Sequence, residues 1–226
     1  MDFNIPEELE SVKQLAAQIL SDFTAVEQLR QLEQQAEPFD GTLWQALAEA
    51  GLLGVDIEEA QGGTGLGFYA LTSLCEEVGR TVAAVPVVPV LVSAAGTLRR
   101  FAGDEQKEQL LPAIANGSLL VSAGLEEYNN DDPTRPACGA RSVEGGFALS
   151  GTKIGVSKAA RASRILVSAT TGEELVVALV DPNAAGVTLS PQVVTSGETR
   201  HELKLSEVQV PTEDIVAVGG KALEAM

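Results

Sequence analysis

The chain has 226 residues, 45% of them hydrophobic, which is enough to bury a core in one large domain or two ordinary ones. Its 15 Lys and Arg face 32 Asp and Glu, for a formal net charge of -17. The cations are scattered, with only Arg99 and Arg100 adjacent, so nucleic-acid binding is excluded and any anionic ligand must be held by local amides and dipoles.

No apolar run approaches the length of a membrane span, and the N-terminus, MDFNIPEELESV, is acidic where a signal peptide would be basic and then apolar. Two cysteines, Cys75 and Cys138, make no disulfide framework, so a reducing, cytoplasmic compartment is expected.

Taken in chain order, residues 1–118 read as helices. Leu9, Val12, Leu15, Ala16, Ile19, Leu20, Phe23, Val26 and Leu29 recur at three- and four-residue steps, one amphipathic stripe opened by Pro6 and two acids. A second helix is expected from Thr42 to Ala50, stopped by Gly51, and a third from Phe68 to Val78. Pro86 and Pro89 interrupt before a helix over Val90 to Ala102, and Asp104 is placed to cap another that carries Leu110 and Leu111. Beyond Gly117 the period changes. Leu119 to Leu125, Phe147 to Val156, Arg164 to Ala169 and Leu175 to Val180 are short apolar runs divided by Gly, Pro, Asn and Asp, and read as strands. Glu144, Gly145 and Gly146 predict a hairpin turn, and the alternation of Leu203, Leu205, Val208 and Val210 breaks at Ser206 and Glu207 as a bulge would. The stretch Glu126 to Arg135 is polar enough to be a loop. A last helix, about Gly220 to Met226, has nothing visible to pack against, which suggests a truncated chain.

Single motifs carry little chemistry. The cluster Gly62-Gly63-Thr64-Gly65-Leu66-Gly67 meets neither phosphate-loop spacing and reads as a tight turn between helices. One histidine, His201, and two distant cysteines make no metal site, and His201 has no evident partner for base catalysis. Glu76 and Glu77 are adjacent, hence on different sides of a helix, and read as a solvated face.

The order of several segments is more informative. Trp44-Gln45-Ala46-Leu47-Ala48-Glu49-Ala50-Gly51-Leu52-Leu53-Gly54-Val55 resembles the first helical signature of the acyl-CoA dehydrogenase family. Glu58-Glu59-Ala60-Gln61-Gly62-Gly63-Thr64-Gly65 is similar to that family's P-E-x-x-G-G-x-G turn without the proline, and Glu76-Glu77-Val78-Gly79-Arg80 follows in place. Gly103-Asp104-Glu105-Gln106-Lys107, Leu111 to Gly117, Gly151-Thr152-Lys153 and Val208-Gln209-Val210-Pro211 are also in register. The resemblance implies an α+β chain: an all-α N-terminal domain over 1–118 and a middle β-barrel-like domain over 119–217. Residues 218–226 would begin a C-terminal four-helix domain that is missing or truncated.

It implies, too, oxidation of an acyl-CoA thioester, with a glutamate removing the α-proton and FAD taking hydride from the β-carbon. The flavin would face the middle domain, along Gly124 and Leu125 and along the stretch after Gly151-Thr152-Lys153. Family members carry Trp, then Ile or Val, then Ser or Thr there; this chain has Gly155, Val156 and Ser157. Ser157 keeps a donor, whereas Gly155 removes a large apolar contact. The family's T-E-P-x-x-G-S-D falls on residues 125–132, where only Glu126 and Asp132 match. Leu125 lacks the hydroxyl, Asn130 replaces the glycine, and Asp131 stands for the serine near the cofactor phosphates. At roughly 6 Å and an effective dielectric of about 20, an acid there opposes each phosphate charge by about 2–3 kcal/mol.

These departures lead to a subunit whose own flavin site has decayed and which works beside a related subunit, as in bacterial heterotetramers that act on steroid side chains. An ordinary homotetrameric FAD enzyme and a non-enzymatic scaffold remain alternatives. No catalytic residue is assigned, because the family's glutamate comes from the C-terminal region.

Overall fold

The computed structural model describes residues 6–130 and 132–226. Helices α1 (Glu7–Phe23), α2 (Val26–Glu33), α3 (Gly41–Glu49) and α4 (Phe68–Thr81) come first. A π-helix (Val88–Ala95) then runs directly into α5 (Gly96–Phe101), and α6 (Asp104–Ala115) closes the helical region. The strands are β1 (Val121–Gly124), β2 (Gly139–Val143), β3 (Gly146–Ser157), β4 (Arg164–Thr170), β5 (Leu175–Val180), β6 (Val187–Gln192), β7 (Arg200–Pro211) and β8 (Ile215–Val218), followed by α7 (Gly220–Ala225).

The expected first helix is two. Thr24 turns its hydroxyl back onto the Leu20 carbonyl at 2.7 Å, and Ala25 is extended, so the chain breaks although the apolar stripe continues. Pro89 does not interrupt its helix, because it lies in the first turn, where no amide is needed. The widened ladder is visible where the Gly96 amide reaches the Leu91 carbonyl, five residues back. Asp104 is the first residue of α6 and not its cap. Gly103 holds the cap position, and its amide donates to the Gln106 side chain at 3.1 Å.

The eight strands form one mixed sheet in the order β6-β7-β3-β2-β4-β5-β8, with β1 laid parallel to β4. An isolated bridge between Glu126 and Ile154 carries the continuation of β1 across to β3, and this closure gives the β region its barrel-like character. The hairpin at Glu144-Gly145 joins β2 to β3 as expected. The bulge is also present: the β3–β7 register shifts between Leu149 and Gly151, and Glu207 has φ 53°.

Strands β4 and β5 are buried on both faces. Leu166, Leu175, Val177 and Leu179 join the helical core, whereas Ile165, Val167, Val176, Ala178 and Val180 pack inside the sheet with Leu203 and Leu205. That double burial explains their unbroken apolar sequence. Helix α7 does have a partner: Ala222 is fully buried within the same core as the helices.

Candidate flavin and acyl-CoA facing surface

The two segments expected to face a flavin lie side by side. The Ile154 amide donates to the Glu126 carbonyl at 2.9 Å, so residues 124–126 run along 153–155. A Cβ on Gly124 would stand 3.2 Å from Val156 Cγ2 and 3.5 Å from Lys153 Cβ, so the missing side chain lets β1 approach β3 closely. Val156 is fully buried in the sheet core, so its side chain is not part of the exposed surface. Leu125 is half-buried, and Asp131 lies outside the described residues.

Gly155 occupies a break in the β3–β7 register with φ +65°, a backbone region that side chains rarely adopt. Its peptide groups already have partners. The amide donates to Gln192 Oε1 at 2.8 Å, and the carbonyl accepts from Arg200 Nη1 at 3.5 Å. A Cβ at this position would meet Glu126 Oε2 at 3.2 Å. Tyr128 extends the same polar cover, donating to Glu202 at 2.9 Å and accepting from Gln192 at 3.4 Å. Ser157 is half-buried; its carbonyl accepts from the Ser122 hydroxyl at 2.5 Å, and its own hydroxyl has no partner among the described residues.

Beneath this surface lies a charge pair that the sequence reading missed. Lys153 is completely buried and donates to Glu127 Oε1 at 2.8 Å and to the Ser168 hydroxyl at 3.0 Å. Glu127 also accepts from the Ala137 amide at 2.6 Å, the Cys138 amide at 2.9 Å and Asn130 at 2.9 Å. Burial opposes its charge, but Lys153 and these other donors prevail and hold the carboxyl at about 2. The polar stretch expected to be plain loop is thus tied into the sheet by one carboxylate.

Other sequence candidates resolve structurally. The glycine-cluster amides are consumed internally: Gly63 donates to Glu58, Thr64 to Gly54 and Gly65 to Ile57, leaving no nest for a phosphate. His201 has a partner after all, with Nε2 3.3 Å from Glu37 Oε1. Glu76 is exposed and pairs with Lys13, but Glu77 is buried against Arg80 at 2.6 Å, so the expected solvated face holds for only one of the two. Both cysteines are free thiols, and burial pushes Cys138 up to about 11. Among the described residues no cluster of His, Cys, Asp and Glu could hold a metal ion, and no helix is long and apolar enough to cross a membrane.

The signature described as "Acyl-CoA dehydrogenase, N-terminal domain" matches residues 6–118. The acyl-CoA dehydrogenase FadE28 of Mycobacterium tuberculosis is 34% identical over 174 residues, covering 77% of this chain and 49% of that protein. FadE27 of the same organism is 28% identical over 93% of this chain and 55% of its own length. Among solved structures, the Tcur3481-Tcur3483 steroid ACAD variant is 40% identical with a TM-score of 0.88, covering 96% of this chain and 58% of that one. The ChsE4-ChsE5 complex from Mycobacterium tuberculosis is 26% identical with a TM-score of 0.90, covering 99% of this chain and 60% of that one. The chain spans about half the length of the curated relatives it matches. On the strength of the matched signature and of this identity over most of its length, the chain belongs to the acyl-CoA dehydrogenase family.

Proposed function

We propose that this chain is the dependent subunit of a heteromeric acyl-CoA dehydrogenase, one that oxidises a steroid side-chain or fatty acyl-CoA thioester with FAD held mainly by a related subunit. The observation that carries this reading is the state of Gly155. Its amide and carbonyl are occupied by Gln192 and Arg200, and a carboxylate of Glu126 stands where an aromatic side chain would begin. A flavin ring needs a flat apolar cover and donors at its polar edge. Here the cover is replaced by polar side chains, while the Ser157 hydroxyl remains as an edge donor. Those groups fit a shared site better than a self-sufficient one. When bound, FAD would supply the hydride acceptor; this chain's part would be to present Ser157 and to exclude water.

Two neighbours support the assembly: one structure is a steroid ACAD of two named proteins, and another is a complex of two named proteins. The net charge of -17 supports it also, since CoA phosphates meet a repulsive field unless a partner brings cations.

Expression of the chain alone and together with a neighbouring dehydrogenase gene tests the reading. The pair should co-purify with flavin and oxidise acyl-CoA, and the single chain should do neither. Full flavin content in the single chain would instead support a homotetramer, and an unaltered flavin content and activity on mixing would support a scaffold.

A further inference from the structure

We infer that Lys158, with the Glu37–His201 pair, forms a latch through which the helical region positions Ser157. The functional half of this inference rests on the proposed shared site; the structural half does not.

Three groups of the β region converge on one short loop between α2 and α3. Lys158 Nζ donates to the Pro38 carbonyl, and Arg161 Nη2 reaches the Glu37 carbonyl at 3.5 Å. The Arg161 guanidinium also lies over the Phe39 ring, 5.2 Å from its centroid. His201 contributes the third tie, its Nε2 3.3 Å from Glu37 Oε1. In the β3–β7 register His201 is opposite Val156 and Arg200 is opposite Ser157, so the ties grip the end of β3 that carries the candidate site. The loop continues into Asp40, which caps α3 by accepting from the Leu43 amide at 2.9 Å, with Trp44 next along.

The arrangement is expensive for a seam that only glues two regions together. Lys158 is buried and adopts φ 52°, uncommon for a residue with a side chain. Burial lowers its affinity for a proton, while Glu37 and Glu198 act against that loss. Glu37 Oε2 and His201 Nδ1 are buried without partners among the described residues, a cost that apolar packing would avoid. What the polar ties supply is direction. Ser157 is held on one side by the Ser122 hydroxyl on its carbonyl, and on the other by Lys158, whose amide donates to Thr199 and whose side chain crosses to Pro38. Lys158, Glu37 and His201 are positioning residues; none is required to touch a ligand.

Hydrogen exchange of the whole chain tests the structural half, with Lys158→Met, which keeps the stem, and Lys158→Gly, which also releases the backbone. Exchange in residues 155–158 and 37–44 should quicken on the order of tenfold in both variants, as for loss of one charged hydrogen bond. Leu175–Val180 should stay protected, reporting an intact fold. Unchanged exchange at both segments would overturn the latch. Flavin retention by the co-expressed pair tests the functional half. Lys158→Met should weaken it on the order of tenfold alone and add nothing in a Ser157→Ala background, whereas independent, multiplying effects would overturn positioning. Stoichiometric flavin in the unmixed wild-type chain would remove the dependent-subunit reading but leave the exchange result standing.

Discussion

Two residues apart on β3, Lys153 and Gly155 sit in opposite circumstances. Lys153 is fully buried, and its ammonium is met by Glu127 and Ser168. Gly155 lies on the outer side of the sheet, its peptide held by Gln192 and Arg200 beneath a polar cover that includes Glu126 and Tyr128. The layer beneath the proposed site is therefore closely packed, down to the small Gly124 that lets β1 approach β3. The outer surface is where this chain departs from what its family pattern implies.

The sharpest way to break that contrast is Lys153→Met. It leaves the buried Glu127 charge without its counter-ion, and should destabilise the chain by about 3 kcal/mol, read as a fall in the urea midpoint. Replacing Glu127 by Gln in the same chain should return part of that loss, since a neutral amide removes the uncompensated charge and still offers an acceptor to the Ala137 and Cys138 amides.

Acid titration sharpens the same side of the comparison. Glu127 has its folded-state proton affinity depressed to about 2, against an ordinary 4.5. Its contribution is therefore complete above about pH 4.5 and lost as pH falls toward about 2, on the order of 3 kcal/mol in all. Glu127→Gln should flatten that portion of the pH–stability curve; an unchanged slope would mean that the carboxylate is not the buried anchor.

On the outer side, Gly155→Trp should cost about 1–2 kcal/mol, because φ +65° disfavours any side chain and Glu126 stands 3.2 Å from the new Cβ. It should not create flavin binding by itself, since the Gln192 and Arg200 ties and the acidic loop remain. The smallest effect concerns Cys138, whose burial and raised proton affinity should make it inert to thiol reagents at neutral pH while the chain is folded. Rapid labelling there would mean that the inner layer opens easily.

Much of this was legible in the order of residues. Helical stripes, the hairpin at Glu144-Gly145 and the β7 bulge follow from period and turn chemistry, and the family followed from several weak motifs in sequence. Three strands escaped for physical reasons. β6 contains Pro191, which is tolerated because β6 is the sheet edge; β2 is largely exposed on one side; and β8 is four residues long. The break at Thr24 was hidden because the apolar stripe runs through it. The Glu127–Lys153 pair and the Glu37–His201 contact join residues 26 and 164 positions apart, which no local pattern reveals. The segments carrying Gly124, Leu125 and Gly155 run side by side, but the groups that hold the Gly155 peptide, Gln192 and Arg200, were singled out by no motif.

The central claim is that the chain keeps a flavin platform's scaffold without its grip. Equilibrium titration of the purified single chain with FAD, followed by flavin fluorescence, addresses it most directly. The account predicts no saturable binding until the related subunit is added; tight one-to-one binding by the chain on its own would contradict it.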